Sequence, residues 1–148
     1  LKEKYYSIGD TSSLCRIPVK TLRYYDKEGM IPNITRKNGI RVFEDIDIRF
    51  LGLLNCLKNT GMPIKRIKEY VELTKEGDAS LAKRYELICE QRQFVQDQID
   101  NLLYYMQELD FKDWYYSKAI AEGTEANIDF DAYERETGRK MPGIPGKD

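Results

Sequence analysis

The side chains that could do chemistry are concentrated in the run VKTLRYYD at positions 19–26. Among its cationic and hydroxyl-bearing members, the candidates for contact are Lys20, Thr21, Arg23 and Tyr24. Donors of this kind, repeated along one short segment, suit hydrogen bonding to the phosphates and base edges of DNA. The chain has no histidine, which excludes histidine general bases, Ser-His or Cys-His nucleophile pairs and histidine metal sites. The run therefore predicts binding rather than catalysis.

A basic loop with the sequence TRKNGIRVF follows at positions 35–43. Its centre, Asn38-Gly39, favours a tight hairpin turn because both residues tolerate positive φ. Ile40, Val42 and Phe43 have strand propensity. We expect a two-stranded wing with Arg36, Lys37 and Arg41 at or near its tip, where they can contact phosphates or a minor groove.

The elements that must position these residues are two short helices joined by a tight turn. Ser7 is placed to cap the first helix, with Asp10 at its third position. Pro18 suits the first turn of the second helix, and Gly29 is placed to end it. In the second helix Val19, Leu22 and Tyr25 form the apolar stripe, which leaves the donors of the run pointing outward. This arrangement is typical of a helix-turn-helix.

Two further helices are predicted to complete the domain. The third runs from about Asp45 to Thr60, where Gly61 stops it, and the fourth follows Pro63 to about Thr74. The expected core positions are Ile48, Leu51, Leu54 and Leu57 in the third helix, and Ile64, Ile67, Tyr70 and Val71 in the fourth. A polar break at residues 76–78 ends the domain.

A heptad pattern then extends over about four repeats. Its positions are Leu81, Tyr85, Ile88, Arg92, Val95, Ile99, Leu102, Met106 and Leu109, and all but Arg92 are apolar. Steps of four and three at this length are typical of a coiled coil. An apolar stripe needs a partner, and too few residues follow to supply one, so we expect a homodimer.

The remainder of the chain is predicted to be a short helix at 113–128 and a loose tail at 138–148. The aromatic side chains Tyr104, Tyr105, Trp114, Tyr115 and Tyr116 either fix the short helix to the dimer or form the wall of a pocket. Arg92 is interpreted as a register or pairing residue.

Charge is divided unevenly along the chain. Residues 1–70 carry 14 Lys and Arg against 8 Asp and Glu, whereas residues 71–148 carry 10 against 17. A basic first part can contact phosphates, and an acidic second part is repelled by them. Three widely spaced cysteines indicate a reducing compartment, and no apolar run is long enough to cross a bilayer. We therefore expect a cytoplasmic protein that has no membrane partner.

These motifs together resemble the MerR family of bacterial transcription regulators. The resemblance rests on YSIG at 6–9, TLRYYD at 21–26, Gly29 and the wing GIRVF at 39–43. It implies a mainly α fold: a winged helix-turn-helix DNA-binding domain followed by a long dimerisation helix that pairs as an antiparallel coiled coil. It further implies binding to pseudo-palindromic promoter DNA, distortion of the promoter spacer for RNA polymerase, and control by an effector.

The resemblance assigns roles to individual residues. The DNA-binding set becomes Lys20, Thr21, Arg23, Tyr24, Arg36, Arg41 and Lys58, the last reaching a phosphate from the third helix. Cys56 corresponds to a cysteine proposed as the sensor in aldehyde- or electrophile-responsive members; Lys58 is close to it in sequence, and a nearby cation favours the thiolate. The alternative interpretation of Cys56 is a small buried packing residue. Metal sensors of the family carry cysteine at the start of the dimer helix, where this chain has Ser80, so no metal site and no cofactor are expected.

The resulting division is 1–76 for the DNA-binding domain, 77–112 for the coiled-coil helix, and 113–148 for the short helix and tail. Double-stranded promoter DNA, a second copy of the chain, RNA polymerase and a small-molecule effector are the expected partners. The main alternative is a DNA architectural or recombination accessory protein with the same fold, although such proteins usually lack the long coiled coil. An enzyme is disfavoured by the missing histidine and cofactor loop, and a pure scaffold has no need of a basic helix beside a basic wing.

Overall fold

A computed structural model describes residues 4–32 and 34–144. The elements, in chain order, are helices α1 (Ile8–Cys15) and α2 (Val19–Lys27), strands β1 (Thr35–Lys37) and β2 (Ile40–Val42), and helices α3 (Asp45–Asn59), α4 (Ile64–Lys75), α5 (Leu81–Glu122) and α6 (Asp131–Thr137). The chain divides into two compact units, residues 1–93 and residues 94–148. The mainly helical fold with a small wing and a long helix confirms the predicted fold class.

The helix-turn-helix is built from local signals. The Ser7 side chain accepts a hydrogen bond from the backbone N–H of Asp10 at 3.0 Å, which caps α1 as predicted. Arg16 adopts the left-handed conformation at the end of α1, and the chain reverses into α2 through buried Ile17. On α2, Leu22 and Tyr25 are buried, so the opposite face of the helix is free for contact.

A single apolar core supports this motif within residues 1–93. Leu51, Leu54 and Leu57 of α3 and Ile67 and Val71 of α4 are all buried in it. Ile48 is only partly buried against the same core. The expectation that Ile64 is buried is wrong: 45% of it is exposed, because it lies in the first turn of α4 beside an open groove.

The predicted break at 76–78 becomes a 3₁₀ turn over Gly77–Ser80. Ser80 is fully buried, and its hydroxyl bonds to the carbonyls of Leu73 and Gly77 while accepting from Arg84. The first turns of α5 are held to the same unit by two further contacts, in which Gln91 donates to Thr60 and Arg66 pairs with Glu90. The start of α5 is therefore anchored to α4 and to the end of α3, the two helices that support the helix-turn-helix.

The long helix extends further than predicted. The separate helix expected at 113–128 is wrong, because α5 continues without interruption to Glu122. No glycine or proline lies between residues 81 and 122, and the helix ends where Gly123 takes a positive φ of 74°. Most of the predicted heptad positions are exposed, including Leu81, Tyr85, Leu102 and Leu109. No helix among the described residues is long and apolar enough to span a membrane.

Residues 94–148 contain a second, aromatic core that the sequence analysis anticipated only in part. Phe111 of α5 lies 5.2 Å from Tyr133 of α6, ring centre to ring centre, and Trp114 lies 5.3 Å from the same ring. The Trp114 indole donates to Glu136 at 2.8 Å. Lys118, first, and then Trp114 hold the pKa of the Glu136 carboxyl below its ordinary value by hydrogen bonding. Trp114 therefore holds a further C-terminal helix against α5.

That helix is α6, which the sequence analysis did not predict. It ends at Gly138, whose φ is 70°. Of the predicted tail, residues 138–144 form no helix or strand, and residues 145–148 lie outside the described residues. Tyr104 and Tyr105 do not join the aromatic core: both are exposed and contact each other edge to face.

The aromatic core provides a direct test of how α6 is held. Tyr133→Ala removes a ring that is 1% exposed, and truncation of a buried aromatic residue costs about 3–5 kcal/mol. We expect α6 to detach, the fluorescence of Trp114, the only tryptophan, to shift to the red, and proteolysis after Gly123 to accelerate. Tyr104→Ala removes an exposed ring and is the control. An unshifted Trp114 spectrum in Tyr133→Ala would show that α6 is held by other contacts.

Candidate nucleic-acid interface

The outward face of α2 carries most of the predicted donors. Lys20, Arg23 and Tyr24 are exposed and Thr21 is half-buried. At about 100° per residue, Lys20, Arg23 and Tyr24 occupy one arc opposite Leu22 and Tyr25. Arg23 makes no ion pair with any described residue, so its five N–H donors are available to a ligand. The structure thus brings these side chains together on one face.

A groove beside this face brings in a donor from a different helix. Its volume is about 500 Å³, and it is lined by Lys20, Thr21, Tyr24, Tyr25, Lys58, Met62, Ile64 and Ile67. Lys58 comes from the last turn of α3, so it faces the same opening as Lys20 and Tyr24. The groove combines two ammonium groups, from Lys20 and Lys58, with the apolar side chains of Met62, Ile64 and Ile67. This combination suits a sugar–phosphate backbone, which has charged phosphates and apolar sugar carbons.

Tyr24 is positioned by a residue that the sequence analysis did not select. The Nζ of Lys68 lies 5.6 Å from the centre of the Tyr24 ring and 3.2 Å from the carboxylate of Glu28. Hydrogen bonding to Glu28, and then to Tyr24, raises the pKa of the Lys68 ammonium. Because α4 and α2 are far apart in sequence, no local pattern indicates this contact. Lys27 was also missed, although helical spacing places it on the outward face of α2 and it is exposed.

The wing forms as predicted. β1 and β2 pair antiparallel with Arg36 directly opposite Arg41. Asn38 and Gly39 at the turn have φ values of 53° and 78°, as a two-residue hairpin of this kind requires. Tyr6 pairs with Phe43 in an isolated bridge, and its hydroxyl donates to Asp45 at 2.8 Å. The wing is therefore tied to the segment before α1 as well as to α3.

Both wing arginines form ion pairs within the chain, which the sequence analysis did not anticipate. A single oxygen of Asp26, Oδ2, accepts from Arg36 Nη2 at 2.9 Å and from Arg41 Nε at 2.5 Å. The Arg36 side chain is 47% exposed and that of Arg41 25%, against 12% for Asp26. Asp26 lies on the recognition helix itself. In the sequence, the signal for this contact was an acidic residue within a predicted basic surface. Its two partners lie 10 and 15 residues further along the chain, so no local pattern identifies them.

Lys37 completes the basic surface of the wing. Its ammonium lies 3.6 Å from the centre of the Tyr5 ring, close enough for a cation–π contact. The wing thus presents three cations that have partners within the chain: Arg36 and Arg41 pair with Asp26, and Lys37 packs on the Tyr5 ring.

Cys56 does not pack in the core. It is exposed, as is Cys89, whereas Cys15 is buried, and burial raises the pKa of the Cys15 thiol. The packing interpretation of Cys56 is therefore wrong for the single chain. Lys58 lies two residues further along α3, which places it on the opposite side of the helix, so it does not assist a thiolate at Cys56. Among residues 4–32 and 34–144 no cluster of three acidic or cysteine side chains could hold a metal ion.

Comparison with known proteins agrees with this geometry. The model of the MerR HTH family of regulatory proteins matches residues 6–74. An uncharacterized HTH-type transcriptional regulator of Haemophilus influenzae is 42% identical over 120 residues, covering 80% of this chain and 89% of the relative. AdhR, an HTH-type transcriptional regulator of Bacillus subtilis, is 38% identical over 74 residues, which are 49% of this chain and 53% of AdhR.

Solved structures extend the likeness beyond the DNA-binding domain. HiNmlR, a MerR family regulator lacking the sensor domain and bound to promoter DNA, is 40% identical with a TM-score of 0.78, over 85% of this chain and 98% of HiNmlR. A MerR family transcriptional regulator from Bacillus thuringiensis is 33% identical with a TM-score of 0.66, over 74% of this chain and 96% of that one. Because these matches span both the helix-turn-helix and much of the long helix, the chain belongs to the MerR family of helix-turn-helix transcriptional regulators.

Proposed function

We propose that this regulator binds a pseudo-palindromic promoter as a homodimer and distorts the promoter spacer in response to an effector. The observation that supports DNA binding best is the continuous set of donors on α2, joined at one groove by Lys58 of α3. HiNmlR, which is 40% identical, is bound to promoter DNA. In this proposal α2 enters the major groove, where Arg23 contacts a base edge or a phosphate.

The remaining contacts position the protein on the duplex. Lys20, Thr21, Tyr24 and Lys58 contact sugar and phosphate through the groove, and the wing contacts the flanking backbone through Arg36 and Arg41. Phosphate contacts of this type fix register and orientation without reading sequence. Sequence preference then comes from Arg23 and from the ease with which the DNA between two bound copies is deformed.

The proposed dimer rests on the exposed seam of α5. Ile99, Leu102, Met106 and Leu109 are exposed in the single chain, although they follow one apolar stripe. Antiparallel pairing of two such helices covers the stripes and holds two recognition helices at a fixed separation. Residues 1–76 are proposed as the DNA-binding domain and α5 (Leu81–Glu122) as the dimerisation helix. RNA polymerase as a partner and a cytoplasmic location are proposed from membership of the MerR family.

An electrophile is the proposed effector, and Cys56 the proposed sensor. The Cys56 thiol is exposed, so a small aldehyde can reach it. The thiol would lose its proton to water as its sulfur bonds to the carbonyl carbon, the C=O π pair would move to the oxygen, and that oxygen would take a proton from water to give a hemithioacetal. Thr60, one turn along α3, donates to the Cys56 carbonyl at 2.7 Å and accepts from Gln91 of α5 at 2.8 Å. A change at Cys56 is therefore close to a contact that fixes the start of α5.

The recognition helix is tested first. Arg23→Ala removes an exposed guanidinium, so the fold should be unaffected, while the loss of a specific base or phosphate contact costs about 1–3 kcal/mol. We expect affinity for the upstream promoter fragment to fall at least ~10-fold in a gel shift at fixed moderate salt. Lys83→Ala, which removes the same charge from exposed Lys83 on α5, is the control. Equal binding by Arg23→Ala and the wild type would contradict the assignment. Binding without any effect on transcription would favour an architectural accessory protein.

The dimer is tested at the centre of the seam. Leu102→Glu places a charge where two apolar stripes are proposed to meet, and burial of an unpaired charge is strongly unfavourable. We expect analytical ultracentrifugation to show a dimer for the wild type and mainly monomer for the variant. Tyr104→Glu makes the same chemical change about 200° away on α5 and should remain dimeric. A dimeric Leu102→Glu protein would place the interface elsewhere.

The sensor is tested by comparing two exposed thiols. Formaldehyde or methylglyoxal should change transcription from the promoter in vitro, and Cys56→Ser should abolish that change while leaving basal DNA binding intact. Cys89→Ser, which removes the other exposed thiol, should respond like the wild type. Full response in Cys56→Ser would eliminate this cysteine as the sensor.

A further inference from the structure

We propose that Asp26 is a positioning residue that sets DNA specificity. It fixes the wing to the recognition helix through Arg41, and it withholds Arg36 from DNA that the helix does not fit. This inference rests on the proposed DNA-binding function and goes beyond it. It assigns to an acidic residue, within a basic surface, control over how strongly the protein binds DNA of any sequence.

A negative charge at Asp26 is unfavourable unless it pairs with the two wing arginines. It lies in the last turn of α2, where the helix dipole disfavours a negative charge, and its side chain is only 12% exposed. Arg36 and Arg41 face each other directly across the hairpin, and like charges in opposite positions destabilise a strand pair. The Asp26 carboxylate resolves both conflicts at once, because Oδ2 accepts from the two guanidinium groups. It thereby joins the helix that reads sequence to the strands that contact the backbone.

The two arginines are not equivalent. Arg41, the more buried of the two, bonds to Asp26 through Nε at 2.5 Å, and it acts as a strut between wing and helix. Arg36 is nearly half exposed and uses only one terminal nitrogen, Nη2. Its remaining N–H donors make no hydrogen bond with any described residue and are available to a phosphate. A DNA phosphate therefore competes with the Asp26 carboxylate for Arg36. The phosphate displaces the carboxylate most readily when α2 is bound in the major groove, because the bound DNA then holds the phosphate beside Arg36.

This competition lowers affinity for unsuitable DNA more than for suitable DNA. Each protein cation that neutralises a phosphate releases counterions, and non-specific binding consists almost entirely of that term. While Asp26 neutralises Arg36, the wing contributes less to binding of random sequence. On a DNA sequence that α2 fits, Arg36 contacts a phosphate again. The predicted consequence is a higher ratio of specific to non-specific affinity in the wild type than in a protein that lacks this carboxylate.

The experiment uses the full chain and two duplexes of equal length and composition. One is the sequence that the wild type selects from a random library, and the other is a scrambled version of it. Fluorescence anisotropy gives affinities for both over roughly 50–200 mM salt. Asp26→Asn should bind the scrambled duplex ~3–10-fold more tightly, with a salt dependence steeper by about one counterion per protomer. The affinity ratio between the two duplexes should fall at least ~10-fold.

Two further variants separate charge from geometry. Asp26→Glu keeps the charge and moves the carboxylate, so the salt slope should be unchanged while the affinity ratio falls at least ~3-fold. This variant also decides the matter if circular dichroism shows that Asp26→Asn does not fold; a wild-type ratio in Asp26→Glu would then overturn the inference. Glu69→Gln removes the same charge from an exposed residue of α4 that pairs with no described arginine, and it should leave the ratio unchanged.

The outcomes distinguish the inference from the proposed function. A wild-type protein that shows no preference between the duplexes overturns the proposed function, and the inference with it. A wild type with a clear preference, together with an Asp26→Asn protein of unchanged slope and ratio, overturns the inference alone. Equal weakening on both duplexes also overturns it, because a merely structural strut has that effect. If Glu69→Gln lowers the affinity ratio as much as Asp26→Asn does, the change is explained by the net charge of the protein alone, and the inference is likewise overturned.

Discussion

The contact on which the DNA-binding surface depends is the one between the Asp26 carboxylate and the two wing arginines. A recognition helix and a hairpin of three residues per strand have little surface with which to pack against each other. A short hairpin is also marginally stable alone. One oxygen of the half-buried Asp26 carboxylate, shared by two guanidinium groups, supplies a directional link that apolar packing does not. In the proposed complex with DNA, this ion-pair cluster fixes the spacing between the contacts of α2 and those of the wing.

The same domain transmits its orientation to α5 through polar contacts at the end of α4. Buried Ser80 joins the last turn of α4 to the 3₁₀ turn, and Gln91 reaches Thr60 at the end of α3. Because these bonds are made in a partly buried setting, breaking one leaves polar groups that must find other partners. The direction in which α5 leaves the domain is thus set by a few hydrogen bonds. Cys56, the proposed sensor, lies one helical turn from one of them, the bond between Gln91 and Thr60.

Local signals in the sequence predicted local structure well. The Ser7 cap, the Asn38-Gly39 turn and the burial of Leu22 and Tyr25 depend on residues within a few positions of each other, and each is confirmed. Contacts between distant residues were not accessible. The link from Lys68 to Tyr24 and the link from Asp26 to Arg41 join elements that only the fold brings together.

Two errors in the C-terminal part have a different cause. The cluster of Trp114, Tyr115 and Tyr116 suggested a new helix, but aromatic residues do not interrupt a helix, and the first residue able to do so is Gly123. Helix α6 was missed because it is only seven residues long and buries one side chain, Tyr133. A helix of that length has no periodic pattern to detect. It is specified by the aromatic rings of α5 that receive it.

The middle of α5 is a stretch of exposed helix between the two apolar cores. Residues 96–109 are exposed throughout in the single chain, so this stretch belongs to neither of the two cores described above. A helix of about 12–15 residues without tertiary contacts is marginal in water even with favourable residues. This stretch also carries Ile99, Leu102, Met106 and Leu109 on its surface, where they favour aggregation unless they are covered. In the proposed dimer, another apolar surface packs on this stretch and stabilises its helix. A second copy of α5 has the matching stripe and length, so the proposed dimer accounts at once for the stability of the helix and for the paired recognition helices.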